Sequence, residues 1–166
     1  PKRTVFIYLS RNFEKAIHLP EELSRVVAPV LQGQADVVVG SRYLQKSSRT
    51  PPARILGHRF FNLLTNLASG VPSSDSQSGY RAFSPKALQA LAFSSTGFSV
   101  ESEMQFIAHE HGLRLLEVPI TIRYTDRPKC SVWVQGMMVL NGVLRLTGQY
   151  RPLFFFGGAG FVLLLG

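Results

Sequence analysis

Ala35-Asp-Val-Val-Val-Gly-Ser-Arg-Tyr43 is the stretch that decides the fold class. Ala35 to Val39 is short and β-branched and reads as a strand, and Gly40-Ser41-Arg42-Tyr43 follows as its turn. Upstream, Pro20 through Leu31 reads as a helix. Pro20 suits its first turn, Glu21 and Glu22 suit its positive N-terminal end, and Gly33 closes it. Leu23, Val26, Val27, Val30 and Leu31 make its apolar stripe. A helix, a short connection and a strand ending in a Gly-Ser-Arg turn point to a parallel α/β sheet. Thr4 to Leu9 adds a buried strand ahead of it.

Downstream, Gln45 to Thr50 is a polar loop, and Pro51-Pro52 opens a helix that ends at Gly70. Leu56, Phe60, Leu63, Leu64 and Leu67 recur on one side of that helix; Arg54, His58, Asn62 and Asn66 line the other. Val71 to Ser78 is rich in turn-forming residues. Ser84-Pro85 starts a short helix, and Ser99 caps another that runs to Gly112 with Glu101 and Glu103 in its first turn. Leu113 to Tyr124 holds two strand-like runs bent at Pro119.

The chain of 166 residues is 45% hydrophobic and 17% charged, which excludes disorder. Its net charge of +8 implies anionic partners: nucleic acid, phosphorylated small molecules or anionic lipid. A nucleic-acid-binding role lacks a basic stripe with interleaved aromatics. Cys130 is the only cysteine, so no internal disulfide forms. Residues 152–166 carry no charge and read as the start of a membrane-spanning helix, which needs roughly 20 such residues. Ser131 to Gly148 is nearly all apolar, with Trp133, Met137 and Met138, and suits a helix lying in the membrane interface. Arg145 and Arg151 precede the apolar run, which places the rest of the domain on the cytoplasmic side.

Asp75-Ser-Gln-Ser-Gly-Tyr-Arg-Ala-Phe83 gathers a carboxylate, an amide, hydroxyls and a guanidinium on one Gly-bearing loop before a strand. Rigid α/β sheets place ligands on such loops. Asp75 can act as a base or bind sugar hydroxyls, and Arg81 can hold phosphate with its planar fork. The structural alternative is that Asp75 caps the turn and Arg81 pairs with it. Glu101 and Glu103 are two apart on a helix and cannot face one point, so one is expected toward the pocket and the other in solvent. His109-Glu-His111 fails as a metal site on the same geometry and reads as a solvated face.

Asp75-x-Gln-Ser-Gly-Tyr-Arg-Ala-Phe, Gly97-Phe-Ser-Val-Glu-Ser-Glu-Met104, Glu117-Val-Pro-Ile-Thr-Ile-Arg-Tyr124 and Ala35 to Tyr43 come in one order. In that order they resemble the later half of family 2 glycosyltransferases, and more narrowly the dolichyl- and polyprenyl-phosphate sugar transferases. The resemblance implies a partial GT-A, Rossmann-like α/β fold over residues 19–130, after a divergent segment at 1–18. An interfacial helix at 131–150 and the start of a transmembrane segment at 151–166 complete the expected organisation. It also implies a nucleotide-sugar donor, a polyprenyl phosphate acceptor, membrane lipid as a partner, and Mg²⁺ or Mn²⁺ on the donor diphosphate. Arg42 would meet the diphosphate, and Ser41 beside it would also bind substrate. Asp75, in the catalytic role, with Gln77, Ser78, Gly79 and Arg81 would build the acceptor side. Arg123, Arg127 and Lys129 would receive the lipid phosphate, in keeping with cations placed before an apolar helix.

The pattern fails in one place. Members of the family carry Asp-x-Asp ahead of a run whose tail His18-Leu19-Pro20-Glu21 matches. Counting back puts those aspartates at Phe13 and Lys15, neither of which binds a hard cation. Two readings follow: a transferase fragment with little or no activity, or a non-catalytic membrane-bound module that binds lipid phosphate or a partner subunit. No oligomeric state is legible in the sequence.

Overall fold

The computed structural model describes residues 4–9, 16–18, 22–45, 52–92, 100–124, 132–153 and 156–157. Strands β1 (Phe6–Leu9), β3 (Val37–Ser41), β4 (Tyr80–Phe83) and β5 (Leu115–Pro119) form one sheet in the order β1-β4-β3-β5. Strands β2 (Ala16–His18) and β6 (Ile122–Tyr124) pair separately and antiparallel. Helices are α1 (Leu23–Leu31), α2 (Pro52–Ser69), α3 (Pro85–Ala90), α4 (Val100–Glu110) and α5 (Val132–Tyr150).

The expected parallel pairing holds for β3 and β5, which run Val37↔Leu115 to Ser41↔Pro119. The sheet as a whole is mixed, because β4 is antiparallel to both β3 and β1. The reason lies in the connection. The loop before β4 is fastened to the C-terminal end of β3, with Ser74 Oγ 2.6 Å from Ser41 Oγ. A strand that starts beside the end of its neighbour has to run back along it.

Side-chain alternation splits the Val37-Val-Val39 run between two cores, which is why it reads as continuously apolar. Val38 packs with Val26 and Val30 of α1, Ala82, Val118 and Ile120. Val37 and Val39 pack on the other face with Phe83, Ala87, Met104 and Ala108. A third cluster, Ala68, Phe106, Val139, Val143 and Leu146, joins α2, α4 and α5. Gly33, at φ 72°, ends α1, as expected of glycine after a helix. Pro20 and Glu21 lie outside the described residues. Glu22 is the N-cap, yet its carboxylate accepts from the Thr121 backbone N–H at 2.9 Å instead of capping. Ser84 does cap α3, accepting from the Ala87 N–H at 3.2 Å.

Two expectations need correction, on β1 and on α4, and the structure sets the direction that α1 and α2 face. The stretch at Thr4 to Leu9 is an edge strand rather than a buried one, and Phe6, Ile7 and Leu9 are exposed. On α1 the burial falls on Val26, Pro29 and Val30, while Leu23 and Leu31 at the ends of the stripe are exposed. Glu101 and Glu103 are both buried, because α4 is wrapped by the sheet on one side and by α2 and α5 on another. On α2 the apolar stripe faces outward: Leu56, Phe60, Leu63 and Leu67 are exposed, and Asn62, Thr65 and Ser69 are buried. His109, Glu110 and His111 are exposed as expected. Among the described residues no helix is long and apolar enough to cross a membrane, and most of 151–166 lies outside those residues.

Gly40 marks the tightest approach in the sheet. A Cβ there would lie 2.9 Å from two Ile120 side-chain carbons and 3.2 Å from the Tyr80 carbonyl oxygen. Overpacking of this kind costs about 1–3 kcal/mol. Gly40→Ala is expected to lose stability of that order in urea unfolding, and an unchanged midpoint would show that Ile120 moves aside freely.

Candidate active site

The turn after β3 and the loop before β4 meet at the C-terminal end of β3. Asp75 accepts from the Arg42 backbone N–H at 3.0 Å, from Nε at 2.6 Å and from Nη2 at 2.5 Å. The pair is a bidentate fork, and both side chains have 0% exposure. Taking two charges out of water is costly unless each is closely matched. Here the geometry supplies that match and fixes the turn to the loop.

The loop is held from four directions. Glu117 on β5 accepts from Ser73 Oγ at 2.6 Å, from Ser74 Oγ at 2.7 Å and from the Ser74 N–H at 2.9 Å. From α2, Asn62 donates to the Ser74 carbonyl at 2.5 Å and accepts from the Ser76 N–H at 2.9 Å. Asn66 exchanges bonds with the Ser73 backbone at 2.8 and 3.1 Å. From α4, Gln105 donates to Asn66 and to the Val71 carbonyl, while Gln77 donates to Ser102 Oγ at 2.9 Å. Ser78 Oγ donates to the Gly40 carbonyl, closing the loop on β3.

Arg81 is buried on β4 and serves the loop as a backbone tie. Its Nε donates to the Ser78 carbonyl at 2.9 Å and its Nη2 to the Ser76 carbonyl at 2.7 Å. Among the described residues Nη1 has no hydrogen-bond partner. Burial draws the Arg81 pKa below its usual value, and the charges of Glu101, Asp75 and Glu117 oppose that fall. Tyr8 of β1 donates to Glu101 at 3.4 Å, so the edge strand also touches this cluster.

Ser41, Arg42, Asp75, Gln77, Ser78 and Arg81 are thus brought together, with Gly79 in the same loop. Asp75 pairs with Arg42 and not with Arg81, the partner expected if the aspartate only capped its turn. Arg123 lies on β6, opposite Ile17, with its side chain outside the described residues; Arg127 and Lys129 lie wholly outside them. Reading the sequence missed Glu117, Asn62 and Asn66 as site-building residues. The signal was there for the two asparagines, whose i, i+4 spacing gives α2 a compact amide face.

Among the described residues the donors do not make a set that fits a divalent cation. Among the described residues no three His, Cys, Asp or Glu side chains come together, and Asp75 and Glu117 are committed to Arg42 and to the loop. Phe13 and Lys15 lie outside those residues.

No protein-family model matches the chain. The UDP-N-acetylglucosamine–dolichyl-phosphate N-acetylglucosaminyltransferase of Methanococcus voltae is 33% identical over 113 residues, 66% of this chain and 45% of that protein. The undecaprenyl-phosphate mannosyltransferase of Micrococcus luteus is 32% identical over 131 residues, 75% of this chain and 53% of that protein. The chain is related to the polyprenyl-phosphate sugar transferases. It spans about half the length of the curated relatives it matches. Its mixed α/β fold matches that of GT-A glycosyltransferases. Glucosyl-3-phosphoglycerate synthase of Mycobacterium tuberculosis, with Mn²⁺, UDP and phosphoglyceric acid, superposes at TM-score 0.65 and 19% identity over 87% of this chain and 49% of that one.

Proposed function

We propose that this chain carries the acceptor-side part of a membrane-associated, inverting glycosyltransferase that moves a sugar from a nucleotide-sugar to a polyprenyl phosphate. The observation that carries the reading is the Arg42–Asp75 fork, which locks the Gly-Ser-Arg turn to the Asp75 loop. It sits at the C-terminal end of β3, the end where α/β sheets hold ligands. The names of the relatives supply the substrate class: dolichyl phosphate in one, undecaprenyl phosphate in another.

The nucleophile in this reading is a phosphate oxygen of the carrier lipid. A phosphate monoester is largely ionised near neutrality, with a second pKa of about 6, so it needs positioning more than a strong base. Arg123, Arg127 and Lys129 supply cations for that phosphate ahead of the membrane-facing helix. Ser41 and Arg42 serve the donor diphosphate, and Gln77, Ser78, Gly79 and Arg81 shape the acceptor side. Asp75 orients the Arg42 guanidinium, which is electrostatic preorganisation rather than proton transfer. The membrane contact is made through residues 131–166, with the domain on the cytoplasmic side.

Flotation with vesicles that contain or lack polyprenyl phosphate tests this reading. The chain is expected to float with both and to bind more tightly where the lipid phosphate is present. Arg127→Ala/Lys129→Ala should abolish that increment. Equal binding to both vesicles would remove the carrier lipid from the proposal. A second reading, a non-catalytic lipid-phosphate module, is favoured by Phe13 and Lys15 at the positions where the resemblance calls for aspartates.

A further inference from the structure

Three helices meet where α2 ends. Ser69 closes α2 and Gly70 follows it, His109 lies in the last turn of α4, and Arg151 is the residue after α5. Arg151 Nη2 lies 2.7 Å from His109 Nε2 and 3.4 Å from the Ser69 carbonyl oxygen. The pair sits directly on Gly70, whose φ is 77°. A Cβ there would lie 3.1 Å from Arg151 Nη2 and 3.3 Å from His109 Cε1. Around the pair is a recess of about 260 Å³, lined by Ser69, Phe106, His109, Glu110, Tyr150 and Arg151.

The chemistry of the pair fixes a protonation state. A guanidinium only donates, so His109 Nε2 has to accept, and the imidazole has to be neutral with its proton on Nδ1. A second proton would turn that acceptor into a donor and set one cation against another at contact distance. On the ring's own helix, Glu110 lines the same recess and attracts a charged imidazole, while His111 turns its Nδ1 back to the Ile107 carbonyl at 3.1 Å. From α5, Tyr150 stays neutral, because burial raises its pKa and the charges of Glu103 and Glu110 on α4 raise it further. From the end of α2 the Ser69 carbonyl and Gly70 face the pair, and neither titrates.

We infer that His109 and Arg151 form a pH-sensitive clasp that fixes where the chain leaves the domain after α5. With the imidazole neutral, the clasp ties the last residue before the uncharged 152–166 stretch to the ends of α2 and α4. Histidine titrates within about pH 5–8, so the clasp is closed at the alkaline end of that range and parts as pH falls through it. Glu110, in the same recess, is placed to take the released guanidinium, which gives the open state a partner of its own. The closed clasp also steadies the start of the Asp75 loop. Val71 follows Gly70, and its carbonyl accepts from Gln105, one turn before His109 on α4. The clasp depends neither on what the 152–166 stretch contacts nor on the transferase reading.

Spin labels at Leu67→Cys and Leu153→Cys, both exposed positions, on a Cys130→Ser background report the exit of the chain against α2. The full chain is held in a nonionic detergent, which adds no titrating group, and the distance between the labels is measured from about pH 5 to 8. A narrow distance distribution is expected at the alkaline end and a broader or shifted one at the acid end, with the change following one imidazole titration. His109→Gln keeps a neutral acceptor and cannot gain a charge, so its distribution should stay narrow throughout. Arg151→Ala should be broad at every pH, and His111→Gln should behave as the parent. A parent distribution that is the same at both ends of the range overturns the inference. So does a change that survives in His109→Gln, because the titrating group would then lie elsewhere.

Discussion

Asp75→Ala is expected to destabilise the chain by about 3–5 kcal/mol, the range for removing one partner of a buried ion pair. The loss would come from what is left behind. Arg42 is 1% exposed, and without the carboxylate its guanidinium would stay buried with its fork unmatched. The Arg42 N–H would lose its acceptor as well. Repulsion inside the cluster would rise too, since Arg81 loses one of the carboxylates that oppose the effect of its burial. Arg42→Met/Asp75→Leu removes both charges and should recover much of the loss, because an apolar pair of similar volume is often neutral in such a place. Chemical unfolding of the single and double variants measures this directly. A single variant within about 1 kcal/mol of the parent would show that water reaches Arg42 and that the fork is a surface pair. Asp75 is therefore structural in this chain whatever its part in transfer, and turnover of an Asp75 variant is interpretable only beside its unfolding curve.

The sequence made several strands and helix ends legible because the relevant signals are local. Val37-Val-Val39 and Leu115-Leu-Glu-Val118 are short β-branched or apolar runs, and Gly33 and Ser84 are helix punctuation that acts over one turn. What periodicity alone did not give was the direction each amphipathic element faces. On α2 the spacing separated an apolar strip from an amide face, yet the amides turned inward to satisfy the loop's backbone N–H and carbonyl groups. Those groups would otherwise be buried unpaired, at a cost comparable to several apolar contacts. For the same reason Glu117 escaped notice: it sits in a strand-like run, and only the fold puts the Ser73-Ser74 hydroxyls against it. Glu101 and Glu103 were expected to split between pocket and solvent, because a helix considered alone has a solvent side; α4 is enclosed on several sides. The Asp75 motif was read as a functional loop from composition, but its partner Arg42 is 33 positions away. No local rule links the two.

Transfer by the chain as it stands is expected to run orders of magnitude below the turnover of an ordinary glycosyltransferase. The argument runs through charge at the leaving group. As the bond from the anomeric carbon to the nucleotide diphosphate breaks, negative charge gathers on the departing oxygens and must be met by fixed cations. The family resemblance calls for a divalent cation held by two aspartates, and Phe13 and Lys15 stand where those aspartates would be. Lys15 offers a single charge on a flexible stem, without the fixed geometry of an oxygen-ligated ion. Arg42 is the nearest fixed cation in the turn, and its fork is already filled by Asp75. A diphosphate would have to compete with that carboxylate for the same donors. Several kcal/mol of transition-state stabilisation are missing on this account, and each ~1.4 kcal/mol is tenfold in rate. An assay of the purified chain with nucleotide-sugars, Mn²⁺ and vesicles containing polyprenyl phosphate should therefore stay near background. Phe13→Asp/Lys15→Asp should bind Mn²⁺ more tightly than the parent, read by calorimetry without any need for turnover. Metal-dependent transfer at an ordinary rate by the unaltered chain would show that the cation is held elsewhere, and would return Arg42 and Asp75 to a purely architectural role.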